Sequence, residues 1–210
     1  MEVGGKVGMK QSKVIGITGG IATGKSTAVE YLKTKGYPII DSDQIAHQVL
    51  ESPMILENIK TIFGEKFFEN GKLNRKIFSN YVFNDKKELK KLEELVYPFI
   101  IDGIHRRIAE LKDKFDFIFV DIPLLFEKKN ELNLTFDSIW LVYTDEFSQI
   151  DRMIRDRGLT EEEAKSRIKA QMSIEGKKQL ADVIICNQGS KDELYQNIEI
   201  YLKKLGENTR

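Results

Sequence analysis

The sequence is poor in cysteine, has no excess of charge of either sign and lacks long apolar runs, and each of these features excludes a class of protein. It contains one cysteine, Cys186, so no disulfide can form within the chain, as is typical of proteins from a reducing compartment such as the cytoplasm. Basic and acidic side chains number 33 each, which argues against a general binder of nucleic acid or membrane surfaces, since such a binder would carry a basic excess. No apolar run approaches the length of a membrane span. We expect a cytoplasmic protein with no nucleic-acid partner and no membrane partner, assembled as a monomer or weak homo-oligomer.

The first twelve residues and the length of the remaining chain bear on the domain organisation. Residues 1–12 lack the apolar segment of a secretory signal, and we predict that they form a disordered leader outside the fold. The remaining length can bury a sizeable core, either as one domain or as one domain with an inserted lobe.

The stretch V-I-G-I-T-G-G-I-A-T-G-K-S-T at residues 14–27 carries the strongest motif. Gly19, Gly24, Lys25 and Ser26 match the pattern G-x-x-x-x-G-K-[ST], which here follows an apolar, β-rich run and precedes a helical pattern. Glycines let such a loop bring several backbone N–H groups onto one phosphate, and the helix adds its positive end. Lys25 would reach the β- and γ-phosphates, and the Ser26 hydroxyl would bind Mg²⁺. The alternative is an ordinary glycine-rich turn, but the complete context favours the phosphate site.

A second apolar run, residues 37–40, leads into Asp41 and Asp43. Ile39 and Ile40 show no alternation, which indicates a strand buried on both faces of a parallel sheet. With the first strand and helix it forms a βαβ unit. Since ligands of parallel sheets lie beyond the carboxyl ends of the strands, we expect both aspartates to lie near the phosphates.

Residues 44–114 show apolar residues mostly at helical spacing, interrupted by a turn-rich connection that contains Gly64 and Gly71. A helical block of this length is too large for a simple crossover between two strands. We therefore predict an inserted lobe that grips a specific acceptor substrate.

Three more strands are predicted at residues 115–121, 137–143 and 183–186, which gives a five-stranded, mainly parallel sheet in an α/β fold. Asp121 closes the first of these strands, as an acidic residue does in the second motif of phosphate-loop enzymes. Two interpretations stay open for so short a motif: Asp121 either holds a Mg²⁺-bound water or simply ends the strand.

A helical pattern at residues 147–157 ends in R-M-I-R-D-R-G and precedes a capping box, T-E-E-E. Its arginines, Arg152, Arg155 and Arg157, suit a mobile lid that closes over ATP and stabilises the charge on a transferring phosphoryl group. The alternative is a solvated helix end with cations near its C-terminus. Both interpretations stay open for any single arginine, whereas the cluster favours the lid.

Five motifs follow one another along the chain: G-G-I-A-T-G-K-S-T, D-S-D-Q-I-A-H, I-P-L-L-F-E, R-I-K-A-Q and A-D-V-I-I-C-N-Q-G. Together they resemble the dephospho-CoA kinase family, in the family's order and from residue 13 to the last helical pattern. The resemblance implies transfer of the ATP γ-phosphate to the ribose 3′-hydroxyl of dephospho-CoA, with Mg²⁺ as the cofactor. It also implies a three-layer P-loop kinase core at residues 13–43, 115–145 and 180–210, a helical CoA-binding lobe at 44–114, and an arginine-bearing lid at 146–179.

The resemblance implies roles for single residues. Asp43 matches the proposed general base for the acceptor hydroxyl, and Asp41 would support Mg²⁺ or the substrate or, alternatively, cap the helix that follows. Asn187 would lie near the adenine or merely turn the chain. The implied catalytic residues are Lys25, Asp43, Arg155 and Arg157; the ATP-binding residues are Gly20, Ala22, Thr23, Gly24, Lys25, Ser26, Thr27 and Asn187; the substrate-binding residues are Asp41, His47, Arg75 and Leu125; the metal-binding residue is Ser26, with Asp121 as a second candidate.

The chain departs from the family pattern in two places. The family's His-Pro pair followed by arginine is replaced here by Tyr97-Pro98, so a substrate contact is lost unless a nearby basic residue compensates for it. The candidates are His105, Arg106 and Arg107. In the lid, family spacing would place the second arginine near Asp156, and arginines flank that position on both sides.

Two other functions compete with this interpretation. Another small-molecule kinase, for nucleosides or nucleotides, would use the same loop and base, but I-P-L-L-F-E and the large helical insertion favour dephospho-CoA. A nucleotide-dependent switch protein is weakened because an N-K-x-D pattern is missing and Ile-Pro-Leu follows Asp121 where a D-x-x-G motif would be expected.

Overall fold

The protein is represented by a computed structural model that describes residues 12–207. The leader predicted for residues 1–12 lies outside this range except for Ser12. The chain divides into two compact units, which we call unit 1 (residues 12–40 and 107–207) and unit 2 (residues 41–106).

The described residues form seven strands and ten α-helices. The strands are β1 (Lys13–Gly19), β2 (Ile39–Asp41), β3 (Phe68–Glu69), β4 (Lys72–Leu73), β5 (Phe117–Asp121), β6 (Ser138–Tyr143) and β7 (Val183–Cys186). The helices are α1 (Lys25–Thr34), α2 (Ser42–Glu51), α3 (Pro53–Phe63), α4 (Arg75–Asn84), α5 (Lys86–Leu111), α6 (Lys129–Leu132), α7 (Glu146–Arg157), α8 (Glu161–Lys169), α9 (Ile174–Leu180) and α10 (Lys191–Glu207). None of the helices between residues 12 and 207 is long and apolar enough to cross a membrane.

A five-stranded sheet in the order β2-β5-β1-β6-β7 organises unit 1. Strand β1 pairs in parallel with both neighbours, with Ile15 opposite Phe119 on one side and Ser138 on the other. All five residues of β5 are buried, as expected for a parallel strand covered on both faces. The five-stranded parallel sheet and the α/β fold class are therefore confirmed. Strand β5 lies between β1 and β2, so the first two strands of the chain are not neighbours.

Helices cover the sheet of unit 1 on both faces. On one face Leu32 of α1 and Ile198 of α10 belong to the same buried cluster as Trp140 of β6. On the other face Ile174 of α9 packs with Leu141 and Tyr143 of β6. Because alternate residues of β6 point to opposite faces, one strand anchors both helical layers.

Unit 2 is built from helices around an aromatic cluster. The ring of Phe78 lies edge-on to those of Phe63 and Phe67, with ring centres 5.1 and 5.3 Å apart. The turn-rich connection predicted from the sequence contains the short antiparallel hairpin β3–β4, whose turn residues Asn70 and Gly71 both have positive φ angles. An Asn-Gly pair with left-handed backbone is the preferred two-residue hairpin turn, so local turn chemistry explains this element.

Candidate active site

The glycine-rich loop joins β1 to α1 and is held in a tight turn. The Thr23 hydroxyl and backbone N–H both donate to the Gly20 carbonyl, at 2.9 and 3.3 Å. Gly24 precedes the helix with a φ of 86°, a left-handed conformation that glycine adopts without strain. No side chain within the described residues caps α1, which leaves the N-terminal N–H groups of the helix to a bound anion.

A cavity of about 640 Å³ opens over this loop. Its walls include residues 19–27, Pro123 and Leu194, together with the polar side chains of Arg152, Arg157 and Asn187. A cavity of this volume, with cations and a helix N-terminus on its wall, suits a nucleotide with its phosphates on the loop.

Lys25 of the loop forms an ion pair with Asp121 at the end of β5. The two side chains are only 16% and 11% exposed, so the pair is poorly screened by water. Asp121, the acidic residue predicted at a strand end, therefore lies beside Lys25, and the roles of both side chains toward phosphate and metal stay predictions.

The donors near the loop fit a hard divalent cation. Ser26 belongs to the cavity wall, and the Asp121 carboxylate lies against Lys25 of the same wall. Among the described residues, no group of three or more His, Cys, Asp or Glu side chains is placed to hold a metal ion. A divalent cation bound together with nucleotide phosphates needs only one or two ligands from the protein, because phosphate oxygens and water supply the others.

Asn187 follows β7 and braces the loop from the side. Its side-chain amide donates to the Thr23 carbonyl at 2.7 Å, and its backbone N–H donates to the Tyr143 carbonyl at 2.8 Å. The side chain is nearly buried, and a Cβ added to Gly24 would lie 2.2 Å from its Nδ2 atom. Asn187 thus contacts the loop backbone; a contact with adenine stays a prediction.

Helix α7 presents a polar face to the loop. Gln149, which is 2% exposed, donates from Nε2 to the Ile21 carbonyl at 2.7 Å. One turn further on, the Arg152 guanidinium donates to the carbonyls of Asn187 at 2.6 Å and of Ala22 at 3.3 Å. Sequence reasoning placed Arg152 in the lid cluster but did not select it, and missed Gln149. The spacing of three residues, which puts two polar side chains on one helix face, was the available signal.

The two selected lid arginines lie in different environments. Arg157 lines the cavity together with Asp156. Arg155 pairs along its own helix with Asp151 at 3.1 Å and with Asp156 at 2.8 Å, and its hydrogen bond to Asp156 holds the pKa of that carboxyl below its usual range. The catalytic roles of both arginines stay predictions.

A buried ion pair beneath the loop was missed entirely. The ammonium group of Lys177, on α9, lies 2.9 Å from the Gly19 carbonyl oxygen and 2.8 Å from Oε1 of Glu127. Leu125, selected as a substrate contact, is 3% exposed in the same I-P-L-L-F-E segment, and its Cδ2 atom would lie 3.1 Å from a Cβ added to Gly16. Its role in substrate binding stays a prediction.

In unit 2, Asp41 accepts a hydrogen bond from the backbone N–H of Gln44 at 3.0 Å and so caps α2. Asp43 lies in the first turn of that helix, where a carboxylate is favoured by the helix dipole. The capping alternative for Asp41 is therefore seen directly, whereas the roles of both aspartates toward substrate or metal stay predictions.

The stripe of α2 that carries Asp43 continues with His47 and Glu51 at intervals of four residues. Arg75, at the start of α4, donates to Nε2 of His47 at 2.7 Å and to Glu51 Oε1 at 2.6 Å. Because a guanidinium has only donors, Nε2 of His47 accepts and the ring proton lies on Nδ1, which is 3.5 Å from Glu51 Oε2. Sequence reasoning named His47 and Arg75 separately and missed Glu51, which joins them.

The fold and the phosphate-binding loop together define a P-loop nucleotide-binding protein of the kinase type. A family model described as dephospho-CoA kinase matches residues 13–193. The chain belongs to the dephospho-CoA kinase family. A dephospho-CoA kinase of Staphylococcus saprophyticus is 42% identical over 196 residues, which cover 92% of this chain and 94% of that protein.

Two solved structures extend the similarity to the fold. A dephospho-CoA kinase of Campylobacter jejuni is 30% identical with a TM-score of 0.70, covering 94% of this chain and 98% of that one. A protein of Thermus thermophilus is 33% identical with a TM-score of 0.79, covering 93% and 99%. As an ATP-dependent kinase of this family, the protein uses ATP with a divalent metal ion.

Proposed function

We propose that the protein transfers the γ-phosphate of ATP to the ribose 3′-hydroxyl of dephospho-CoA, giving coenzyme A and ADP. The single observation that carries the proposal is the cavity over the glycine-rich loop, where Lys25 is paired with Asp121. Because the chain belongs to the dephospho-CoA kinase family, we assign this cavity to ATP. We also propose that the protein is cytoplasmic and forms a monomer or a weak homo-oligomer. Its single cysteine is consistent with a reducing compartment.

Unit 1 binds the donor in this proposal. Loop N–H groups and the start of α1 hold the triphosphate, and Lys25 exchanges the Asp121 carboxylate for phosphate oxygens. Mg²⁺ would be held by Ser26, with Asp121 as the second candidate, and would neutralise charge on the phosphates. Asn187 keeps the loop closed against Thr23.

The lid arginines are proposed to stabilise charge on the transferring group. Arg157 already lines the cavity, whereas Arg155 would exchange Asp151 and Asp156 for phosphate oxygens. A guanidinium aimed at the equatorial oxygens acts where charge is spread in the transition state.

Unit 2 binds the acceptor. The 3′-hydroxyl oxygen forms the new bond to the γ-phosphorus, the bond to the bridging oxygen breaks with its electron pair leaving on ADP, and the hydroxyl proton passes to Asp43. The Arg75 guanidinium, with His47 beside it, is suited to the anionic groups of dephospho-CoA. Glu51 orients Arg75, and Asp41 fixes the start of α2. Leu125, which belongs to unit 1, is a further predicted substrate contact.

Product identification tests the proposal. The purified protein is incubated with ATP, Mg²⁺ and dephospho-CoA, and the products are separated and analysed by mass spectrometry and ³¹P NMR. We expect coenzyme A, with the new phosphate on the ribose 3′ position, in amounts equal to ADP. ADP formation without phosphorylated dephospho-CoA would reject the proposed acceptor.

A further inference from the structure

The Gly19–Gly20 peptide, which opens the phosphate loop, joins two glycines. Neither residue has a side chain that restricts rotation of the peptide plane. In a planar trans peptide the carbonyl and the following N–H point in opposite directions. Rotation of this plane would therefore exchange an N–H for a carbonyl on the cavity side, and a carbonyl oxygen repels phosphate.

Lys177 holds that peptide from beneath. Its ammonium group donates to the Gly19 carbonyl at 2.9 Å, which directs the N–H of Gly20 away from Lys177. Gly20 belongs to the wall of the cavity. The bond thus selects the peptide orientation in which the carbonyl is turned to the protein interior.

Burial makes this lysine unusual among the cations of the structure. Its side chain is 0% exposed, and a buried ammonium is costly unless a charge partner and hydrogen bonds compensate it. Glu127 supplies that partner at 2.8 Å, and the same oxygen also accepts the backbone N–H of Met172 at 3.0 Å. Lys177 therefore has a fixed position, as a group that orients a backbone carbonyl requires.

The neighbouring peptide of the loop is held in the same manner. The Ile21 N–H donates to Oε1 of Gln171 at 3.1 Å, and the Ile21 carbonyl accepts from Gln149 at 2.7 Å. Gln171 and Lys177 lie at the two ends of one short segment that follows α8. This segment therefore grips the loop backbone at Gly19 and Ile21.

We propose that Lys177 is a positioning residue for nucleotide binding: it locks the Gly19–Gly20 peptide in the phosphate-accepting orientation, and Glu127 is its charge partner. This inference rests on the proposed function of the nucleotide site. Lys177 itself is fully buried and acts through the loop backbone rather than on the nucleotide.

The test separates positioning from simple charge balance. Lys177→Met leaves the Glu127 carboxylate buried without its partner, so the thermal midpoint should fall. The double variant Lys177→Met/Glu127→Gln removes both charges, so its thermal unfolding midpoint should return most of the way to that of the parent protein. Lys178→Met is the matched control, because Lys178 is the next residue on the same helix but its side chain is 45% exposed.

Calorimetric titration with ADP and Mg²⁺ supplies the deciding measurement. We expect ADP affinity to fall by about tenfold in both Lys177→Met variants and to stay within about twofold in Lys178→Met. In steady-state assays KM for ATP should rise while KM for dephospho-CoA changes little. A double variant that binds ADP within about twofold of the parent protein would overturn the proposal.

Two further outcomes are also decisive. If neither Lys177→Met variant folds, Glu127→Gln alone decides, because it removes the charge partner that fixes Lys177 against Gly19. A loss of ADP affinity of about tenfold supports the proposal, and affinity within about threefold of the parent protein overturns it. ADP binding needs no acceptor. A parent protein that binds ADP without phosphorylating dephospho-CoA would therefore reject the proposed function and leave this test intact.

Discussion

The side-chain nitrogen of Asn187 lies 2.7 Å from the carbonyl oxygen of Thr23, so the residue after the last strand of the sheet is bonded to the loop after the first. Arg152 adds to this connection by donating to the Asn187 carbonyl at 2.6 Å. The loop is thus fixed by side chains that come from distant parts of the sequence. We therefore expect phosphate binding by the loop to depend on these side chains as well as on the loop's own glycines.

Replacing Gly24 by alanine should abolish most nucleotide binding. The residue has a φ of 86°, and a Cβ would lie 2.2 Å from Nδ2 of Asn187, so both the backbone and the brace must move. We expect ADP affinity, measured by calorimetry, to fall by at least about tenfold. Gly36→Ala is the control, because Gly36 has a φ of 82° but nothing within 4 Å of an added Cβ. It should lose about 1 kcal/mol of stability and keep its ADP affinity. Equal affinities in the two variants would contradict the prediction.

Arg152→Met should weaken ATP binding, because the guanidinium holds the Ala22 and Asn187 carbonyls together. We expect KM for ATP to rise by about tenfold, with KM for dephospho-CoA changing less than about twofold. Lys165→Met on α8 removes a half-exposed cation nearby and serves as control. An unchanged KM for ATP in Arg152→Met would show that the loop holds its shape without this arginine.

Asp43→Asn should separate binding from chemistry. The loop of unit 1 is untouched, so ADP affinity should stay within about twofold, while kcat falls by about 10²–10⁴ through loss of the base. Asp102→Asn, which removes an exposed carboxylate that pairs with Arg106, is the control for charge loss in unit 2. Near-normal turnover in Asp43→Asn would remove Asp43 from the mechanism.

We expect ionisation of Tyr143 to lower the stability of the folded protein at high pH. Its hydroxyl donates to Glu175 at 2.6 Å, and this bond, with burial, raises the pKa of Tyr143 to about 12 from an ordinary 10.0. The folded state therefore keeps a proton that the unfolded chain releases, so the stabilisation is complete below pH 10 and is lost as the pH rises through about 12. Between these values the thermal midpoint of the parent protein should fall more steeply than that of Tyr143→Phe. Parallel curves would contradict this assignment.

Local sequence patterns predicted the features that depend on neighbouring residues. The phosphate loop, with Gly24 and Lys25, follows from backbone conformation and spacing within one short segment. The end of β5 at Asp121 follows from an uninterrupted apolar run. The hairpin turn at Asn70 and Gly71 carried a local signal too, but it was interpreted only as a turn-rich connection.

Individual contacts between residues that are far apart in the sequence could not be predicted. Lys177 contacts a carbonyl 158 positions away, and in the sequence it stands beside Lys178 in what looks like an exposed pair. The short helix α9 that carries it has no apolar stripe of its own, so nothing local showed that Lys177 is buried. Glu51 lies two helical turns beyond Asp43, and only folding of α4 shows that it binds Arg75.

A comparison of acceptors tests the central claim most directly. ADP release is measured in a coupled assay with ATP and Mg²⁺ and with dephospho-CoA, adenosine, AMP or pantothenate as acceptor. We predict a kcat/KM for dephospho-CoA at least about 100-fold above that of each other acceptor. Adenosine lacks the anionic groups that unit 2 is proposed to bind, pantothenate lacks the ribose hydroxyl, and AMP has a single phosphate where dephospho-CoA has a diphosphate with the pantetheine arm attached. Comparable values for adenosine or AMP, or ADP release that does not depend on any acceptor, would contradict it.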